Sequence, residues 1–232
     1  MINNKKVLAI TLARGGSKRV EKKNIALIEG KPLLQYTVDE VKKSKYIDRY
    51  IISTDDDDIA SVISSLGAES HKRSFVNSVD TASSASAIRE VLSSISHRFD
   101  YIVEVMCTNP LKSADDIDGV IEKLDESNAD AVVSVVRIWD HHPSRIKFIE
   151  NDKLIDVYPE IPESRRQDLS PPAYVRNGSI YAFTTESFKK TGTRLGNDCR
   201  AYIMPEERTI NIDEKIDLEL AKILIRKLNS EA

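Results

Sequence analysis

Short apolar strands and amphipathic helical patterns alternate through the first 136 residues of the chain. Val7–Leu12 is an apolar run rich in β-formers that ends at Arg14-Gly15-Gly16, and Arg49–Thr54 has the same character. Between them, apolar residues recur at helical spacing after Pro32. Further elements follow in the same order: a helix opened by Asp55 to Asp58, a helix near 81–97, a strand at Tyr101–Val105, a helix at 114–126 and a strand at 131–136. Strands that are apolar on both faces predict an α/β fold with a doubly wound, mostly parallel sheet covered by helices on both sides.

The pattern changes between residues 138 and 176. Two short apolar segments flank Glu150-Asn151-Asp152, a hairpin-like turn, and four prolines between 159 and 172 exclude regular structure there. The α/β pattern resumes at 179–183 and ends with a helix near 214–228, for which Asp213 is the predicted N-cap. We therefore interpret residues 1–232 as a single domain with an inserted segment at 138–176. Such insertions often form a lid or a subunit contact.

Composition excludes several classes of protein. The chain has 232 residues, 41% of them hydrophobic and 31% charged, and a formal net charge of −3. A core can therefore form, and a protein dedicated to binding nucleic acid is not expected, because such proteins are usually basic. Cys107 and Cys199 are too few for a disulfide scaffold. The first apolar run is too short for a signal peptide or a membrane span, so the sequence predicts a cytoplasmic globular protein.

The loop after the first strand concentrates positive charge and glycine. Ligands of open α/β sheets bind at the carboxyl ends of strands, and glycines allow the backbone to approach a phosphate closely. The loop matches neither a Walker A motif nor a G-x-G-x-x-G fingerprint. It predicts a site for a small polyanion, with a solvated basic turn as the alternative. Its five basic residues, against the one acid Glu21, are Arg14, Lys18, Arg19, Lys22 and Lys23.

The same loop resembles a known family. The run from Ala13 to Arg19, followed by Lys23-Asn24, is similar to the A-R-G-G-S-K-x-x-x-x-K-N motif of acylneuraminate cytidylyltransferases, the CMP-sialic acid synthetases. Further blocks follow in family order across nearly the whole chain: Ile52-Ser53-Thr54-Asp55, Arg73, Asp80 to Ser84, Thr108-Asn109-Pro110-Leu111, Arg166-Gln167, Asn177 to Tyr181 and Ile210 to Asp213.

This resemblance implies an activity, a metal and a fold. CTP and a nine-carbon 2-keto sugar acid would give a CMP-sugar and pyrophosphate, after the anomeric hydroxyl attacks the α-phosphorus. Mg²⁺, or Mn²⁺ in its place, would neutralise the triphosphate. The family fold is a Rossmann-like nucleotidyltransferase sheet, and subunits of the family pair through the insertion, so a homodimer is expected.

The resemblance also implies roles for individual residues. Arg14, Lys18 and Asp213 would be catalytic. The nucleotide would be bound by Ala13, Arg14, Gly15, Gly16, Ser17, Lys18, Lys23, Asn24, Arg73 and Ser84. The sugar would be bound by Met106, Thr108, Arg145, Arg166, Gln167, Asn177 and Tyr181, and the metal by Asp213 with Asn211.

Departures from the family pattern concentrate in its sugar-binding and metal-binding blocks. Met106 stands where family members commonly carry a glutamine, and a thioether cannot replace an amide that donates and accepts hydrogen bonds. Asn211-Ile212-Asp213 replaces D-I-D, and Arg145 ends a block that reads H-P-Y-K in the family. These changes predict a sugar acid other than N-acetylneuraminic acid, of legionaminic or pseudaminic type.

Two other functions stay open at this point. One is a cytidylyltransferase for the eight-carbon acid Kdo, although its usual Q-G-D-E-P run is here Cys107-Thr108-Asn109-Pro110. The other is a nucleotide-sugar binder that has lost turnover through Asn211 and Met106. Among the acidic residues at 55–58, only Asp55 is expected near the site. No histidine has metal-ligand spacing with a cysteine, and Cys107 has no recognisable histidine partner for a nucleophilic role.

Overall fold

The computed structural model describes residues 1–231. Its strands are β1 Val7–Leu12, β2 Leu27–Ile28, β3 Lys31–Pro32, β4 Arg49–Thr54, β5 Glu69–Lys72, β6 Tyr101–Val105, β7 Ala131–Ile138, β8 Lys147–Glu150, β9 Lys153–Asp156, β10 Ala173–Thr184 and β11 Cys199–Ile203. Its α-helices are α1 Leu33–Lys43, α2 Asp57–Ser65, α3 Ser84–Ser94, α4 Ala114–Ser127, α5 Thr185–Thr191 and α6 Lys215–Glu231.

Seven strands form the central sheet in the order β11-β7-β10-β6-β1-β4-β5. All neighbouring pairs are parallel except those of β10, which runs antiparallel to both β6 and β7. The register of β10 shifts between Arg176 and Tyr181, where Gly178 has a φ of +62°. Two separate hairpins, β2–β3 and β8–β9, complete the β-structure of the described chain. The α/β, mostly parallel fold is therefore confirmed.

Side chains alternate along the buried strands, so the sheet carries an apolar core on each face. Val103 and Val105 pack with helices α1 and α4, whereas Ile102 packs with α3 and α5 on the opposite face. Helix α2 packs beside α1 against Ile52 of β4. This arrangement leaves the carboxyl ends of β1, β4 and β6 together at one edge of the sheet, which is where α/β proteins bind ligands.

Side-chain caps explain where several helices begin. Asp56 accepts a hydrogen bond from the amide of Ile59 and starts α2, as expected for the acidic run at 55–58. Ser83 caps α3 in the same way, which explains why that helix starts later than the predicted residue 81. Ser113 and Asp116 form a capping box at α4.

Three expectations about the elements need correction. Residues 173–176, assigned to the insertion, pair with β7 in the central sheet. Strands β5 and β11 were not predicted, because both are mostly exposed and lack an apolar run. Asp213 does not cap α6, since the amides of Asp213 and Glu214 donate to Asp217 while the Asp213 carboxylate faces Lys23 and Asn211.

Residues 159–172 carry only a 3₁₀ turn at Arg166–Asp168, in agreement with their prolines. Among residues 1–231, no helix has the length and apolar character needed to cross a membrane.

Candidate active site

The loop after β1 is fixed by the two aspartates that follow β4. The amide of Gly15 donates to Asp55 Oδ1 at 3.0 Å. A Cβ at Gly15 would lie 2.6 Å from Asp56 Oδ2, so the contact requires glycine. Gly16 has open space around it, and its backbone is accessible to a ligand. Asp55 therefore belongs to the site as a support of the loop.

A cleft of about 290 Å³ lies between this loop and the start of α6. It gathers most of the residues predicted to hold the triphosphate, and places them beside the residue predicted to bind a metal. Its lining includes Arg14, Ser17, Lys18, Lys23, Asn24, Thr108 and Asp213, together with Leu12, Arg19, Val20 and Asp80.

Asp80 neutralises part of the positive charge in the cleft. Its carboxylate lies 2.9 Å from Arg14 Nη1 and also contacts Lys18 Nζ. The hydrogen bond from Lys18, with the charges of Lys18 and Arg14, lowers the pKa of Asp80. The two cations are therefore close enough to bind one anionic group jointly.

Lys23 joins the loop to the segment before α6. Its Nζ donates to the carbonyl of Ile212 at 2.8 Å and to Asp213 Oδ1 at 2.9 Å, and Asn211 Nδ2 donates to Asp213 Oδ2 at 2.6 Å. The amide of Ile212 donates to the carbonyl of Thr108. Loops from three parts of the chain thus meet at the metal-binding position predicted for Asp213.

The oxygen donors at this position suit Mg²⁺. The ion needs only one or two carboxylates when substrate phosphates and water complete its coordination, and the Asp213 carboxylate lines the cleft, whereas Asn211 faces that carboxylate with its amide nitrogen. Within residues 1–231, no group of three or more His, Cys, Asp or Glu side chains is placed to bind a metal by itself.

A second cavity of about 250 Å³ adjoins the first and shares Leu12, Arg14 and Asp80 with it. It brings Arg73 and Ser84, predicted for the nucleotide, next to Met106. Arg73 is buried, and its Nε and Nη2 donate to Ser53 Oγ and to the Ser53 carbonyl at 3.1 and 2.6 Å. This side chain is therefore held rigidly at the cavity wall.

Glu104 also lines this second cavity and was not predicted. It is fully buried on β6, and its Oε2 is ion-paired with Arg194 Nη1. Burial raises the pKa of Glu104, and the charge of Arg194 opposes the rise. A glutamate inside an otherwise apolar strand sequence, Tyr-Ile-Val-Glu-Val, was the available signal.

Lys112 anchors the loop between the two cavities and was likewise not predicted. Its buried Nζ donates to the carbonyls of Met106 and Asn109 and to Thr37 Oγ1. Burial lowers the pKa of Lys112 to about 7. The same loop is tied to Asn24, because Cys107 Sγ donates to Asn24 Oδ1 at 3.0 Å.

Asn24 completes a link across the site, since its Nδ2 donates to the carbonyl of Arg14 at 2.8 Å. Burial raises the pKa of the Cys107 thiol, which agrees with the expectation that it is not a nucleophile.

The residues predicted for the sugar are not brought together in one cavity. Met106 and Thr108 line the two cavities described above, whereas Arg166 lines a separate one beside Trp139. Arg145 is engaged by the acidic side chains of Asp140 and Glu163, and Gln167 is exposed.

Asn177 and Tyr181 are both buried in β10. The Asn177 amide bonds with Ser134 and Thr209, and Tyr181 packs beneath the guanidinium of Arg194. The sugar-binding roles of all these residues stay predictions.

Comparison with known proteins identifies the family of this chain. Residues 8–224 match the family described as cytidylyltransferase. The chain belongs to that family. It is 30% identical to the pseudaminic acid cytidylyltransferase of Campylobacter jejuni, over 98% of this chain and 99% of that relative. It is 29% identical to the N-acylneuraminate cytidylyltransferase of Escherichia coli, over 97% of this chain and 54% of the relative.

A solved structure of CMP:2-keto-3-deoxy-manno-octonic acid synthetase complexed with CTP has the same fold. The TM-score is 0.72 at 17% identity, covering 96% of this chain and 99% of the other. At that identity the match supports the nucleotidyltransferase fold alone. The chain is thus a cytidylyltransferase, and the expected family and enzyme class are confirmed.

Proposed function

We propose that this cytidylyltransferase transfers CMP from CTP to the anomeric hydroxyl of a nonulosonic acid and releases pyrophosphate. One observation carries the proposal: a basic cleft containing Arg14, Lys18 and Lys23 adjoins a second cavity of about 250 Å³ that is lined by Arg73 and Ser84. The relative in Campylobacter jejuni that spans nearly the full chain is named for transfer to pseudaminic acid.

The cationic cleft supplies charge stabilisation. Arg14 and Lys18 would bind the triphosphate in place of Asp80, and they would bind it more strongly as negative charge moves onto the leaving pyrophosphate. Enzymes of this type work chiefly by positioning the reactants, and the link from Cys107 through Asn24 to Arg14 holds the loop for that purpose.

Mg²⁺ is part of the proposal, with Mn²⁺ able to replace it. Asp213 and Asn211 would hold the ion, and when bound it would neutralise charge on the triphosphate. Lys23 Nζ donates a hydrogen bond to Asp213 Oδ1. With the ion bound to Asp213, Lys23 would be able to turn towards a phosphate oxygen.

The proposed sugar acid is of pseudaminic or legionaminic type. Met106 is half-buried directly after β6 and lines the second cavity, so it would contact the sugar acid beside the base and offer apolar contact where a glutamine would require a hydrogen-bonding partner. An acid with a deoxy terminus or additional acyl methyl groups suits such a wall better than N-acetylneuraminic acid does.

A homodimer in the cytoplasm completes the proposal. The hairpin β8–β9 exposes Phe148, Ile149 and Leu154 at 58%, 74% and 72%, which is unusual for large apolar residues. A second copy of the chain would bury this hairpin. CTP is an intracellular nucleotide, and Cys107 and Cys199 are both free thiols, as expected in a reducing compartment.

The test is pyrophosphate release from CTP with a panel of pseudaminic, legionaminic, N-acetylneuraminic and Kdo acids. We expect release with the first two acids at the highest kcat/KM. Preference for Kdo would establish the Kdo alternative. Tight nucleotide binding without release with any acid would indicate a binder that has lost turnover.

A further inference from the structure

Glu104 has an unusual environment for a carboxylate. It is completely buried on β6, at the wall of the second cavity. Its Oε2 is paired with Arg194, whose guanidinium lies 4.4 Å above the ring of Tyr181. Its Oε1 is buried and has no hydrogen-bond partner among the described residues.

A buried carboxylate oxygen without a donor is costly. Buried polar atoms in folded proteins nearly always have a partner, and an unpaired acceptor loses the hydrogen bonds it made to water without replacement. Because Glu104 lines a cavity, a bound ligand can supply the missing donor. A site of this kind selects ligands that carry an N–H or O–H group at that point.

The position of the cavity indicates which part of the substrate reaches Glu104. The cavity shares Leu12, Arg14 and Asp80 with the basic cleft, so a nucleotide with its triphosphate in the cleft would be able to extend its base into the cavity. Arg73, on the same wall, uses Nε and Nη2 for Ser53, and no hydrogen bond occupies its Nη1 within residues 1–231. Among the described residues, the wall of the cavity therefore holds one unpaired acceptor, Glu104 Oε1, and one unpaired donor, Arg73 Nη1.

We propose that Glu104 selects cytosine over uracil by accepting a hydrogen bond from the 4-amino group through Oε1. The inference rests on the proposed use of CTP and names the residue that reads the base. Cytosine presents a donor at C4 and acceptors at N3 and O2, which complement Glu104 and Arg73 respectively. Uracil presents a carbonyl oxygen at C4. This oxygen would face Glu104 Oε1, and because both atoms are acceptors, no hydrogen bond would form between them.

Arg194 determines which side-chain atom of residue 104 faces it. It requires an acceptor at the Oε2 position, so in a Glu104→Gln variant the amide oxygen faces Arg194 and the amide NH₂ takes the place of Oε1. The variant then presents a donor where the parent presents an acceptor. A purely structural role for the ion pair would not reverse the preference for a base.

The experiment is calorimetric titration of the full-length protein with three nucleotides, in Mg²⁺ and without sugar acid. The nucleotides are CTP, UTP and the triphosphate of 2-pyrimidinone riboside, which has no group at C4. We expect the parent to bind CTP about tenfold or more tighter than either of the others, the effect of one hydrogen bond to a charged group. Glu104→Gln should lower the ratio of CTP to UTP affinity by about tenfold or more.

Glu104→Leu removes both oxygens, and we expect it to bind CTP and the pyrimidinone with nearly equal affinity. The matched control is Asp116→Asn, which alters another buried carboxylate paired with an arginine, Arg208, outside both cavities. It should leave all three affinities in their parental ratio. If the leucine variant does not fold, the glutamine variant alone decides the outcome.

Three results would overturn the proposal. The Glu104→Gln variant could bind all three nucleotides as the parent does, with the same ratio of CTP to UTP affinity. It could also lose affinity for all three nucleotides equally, which would indicate a structural role. It could also bind nucleotides normally but show a raised KM for the sugar acid, which would assign Glu104 to the sugar. Failure of the parent protein to bind CTP would instead overturn the proposed function itself.

Discussion

The part of the site proposed for the nucleotide (the nucleotide side) and the part proposed for the sugar acid (the sugar side) differ in how completely one chain builds them. On the nucleotide side, loops that follow parallel strands meet at one sheet edge and are tied together by Asn24, Lys23 and Asp55. On the sugar side, Arg145 is occupied by acidic neighbours and Arg166 faces a separate cavity. The comparison indicates that the topology of the parallel sheet brings together the residues proposed for the nucleotide, whereas Arg145 and Arg166, proposed for the sugar, lie in the insertion.

The insertion also explains why the sugar side is less organised. It contains the β8–β9 hairpin, whose apolar residues are exposed in a single chain. If a second subunit covers this hairpin, the segments around Arg145 and Arg166 acquire new neighbours.

The largest effect is expected from removal of the metal. Asp213 is the single carboxylate proposed to hold Mg²⁺ directly, so chelation should abolish pyrophosphate release and added Mg²⁺ or Mn²⁺ should restore it. Asn211→Asp adds a second carboxylate and should lower the Mg²⁺ concentration that gives half-maximal activity. Full activity in excess chelator would exclude a metal role on the nucleotide side.

The next largest effect is expected at the triphosphate loop. Lys18→Ala removes a cation that is proposed to stabilise the developing charge on pyrophosphate, so kcat/KM should fall by about 100- to 1,000-fold. The melting temperature should change little, because Lys18 is exposed. The matched control is Lys22→Ala, a lysine of the same loop that pairs with Asp58 outside the cleft. Equal losses in the two variants would show a general charge effect rather than a binding site.

On the sugar side the expected effect is smaller and concerns the preference of the enzyme among sugar acids. In competition at limiting CTP, pseudaminic or legionaminic acid should outperform N-acetylneuraminic acid by about ten- to a hundredfold in kcat/KM, since one polar contact contributes about 1–3 kcal/mol. Met106→Gln should reduce that ratio, and because Met106 also lines the cavity proposed for the base, the KM for CTP is measured in the same variant. If the ranking is the same in the variant, Met106 does not select the sugar.

The features that could be predicted from the sequence are those with a local signal in it. The strand β1 and its basic loop were predictable because an apolar run and a glycine-rich turn are local signals. Asp55, expected near the site, does contact the loop. The short polar strand β5 was not predictable, because an exposed edge strand has no apolar period.

Glu104 and Lys112 show a second limit of prediction from sequence. Each is a charged residue whose role depends on burial, and burial is decided by segments distant in the chain, such as Arg194 for Glu104 and Thr37 for Lys112. A sequence shows a charged residue next to apolar ones but does not show which groups will surround it. The residues predicted for the sugar depend on the same kind of distant contact, and their roles stay predictions.

The last prediction concerns Lys112, which holds the loop that joins the two sides. Lys112→Met leaves two buried carbonyl groups without their donor and should lower the free energy of unfolding by about 2–3 kcal/mol. In the parent protein, the folded pKa of Lys112 is about 7, below the value of about 10.4 expected when unfolded. Between these values the unfolded chain binds more protons, so the stability of the parent should rise with pH from 7 to 9, by at most about 1.4 kcal/mol per pH unit from this group.

Urea denaturation at pH 7, 8 and 9 measures this slope. The methionine variant should lack the contribution, so the stability difference between parent and variant should widen as pH increases. Lys123→Met is the matched control, because Lys123 also donates to a backbone carbonyl, that of Ala201, but lies exposed on α4. A parent and a Lys112→Met variant with parallel pH profiles would show that Lys112 keeps its proton in the folded protein, and that its three hydrogen bonds outweigh the cost of burying the charge.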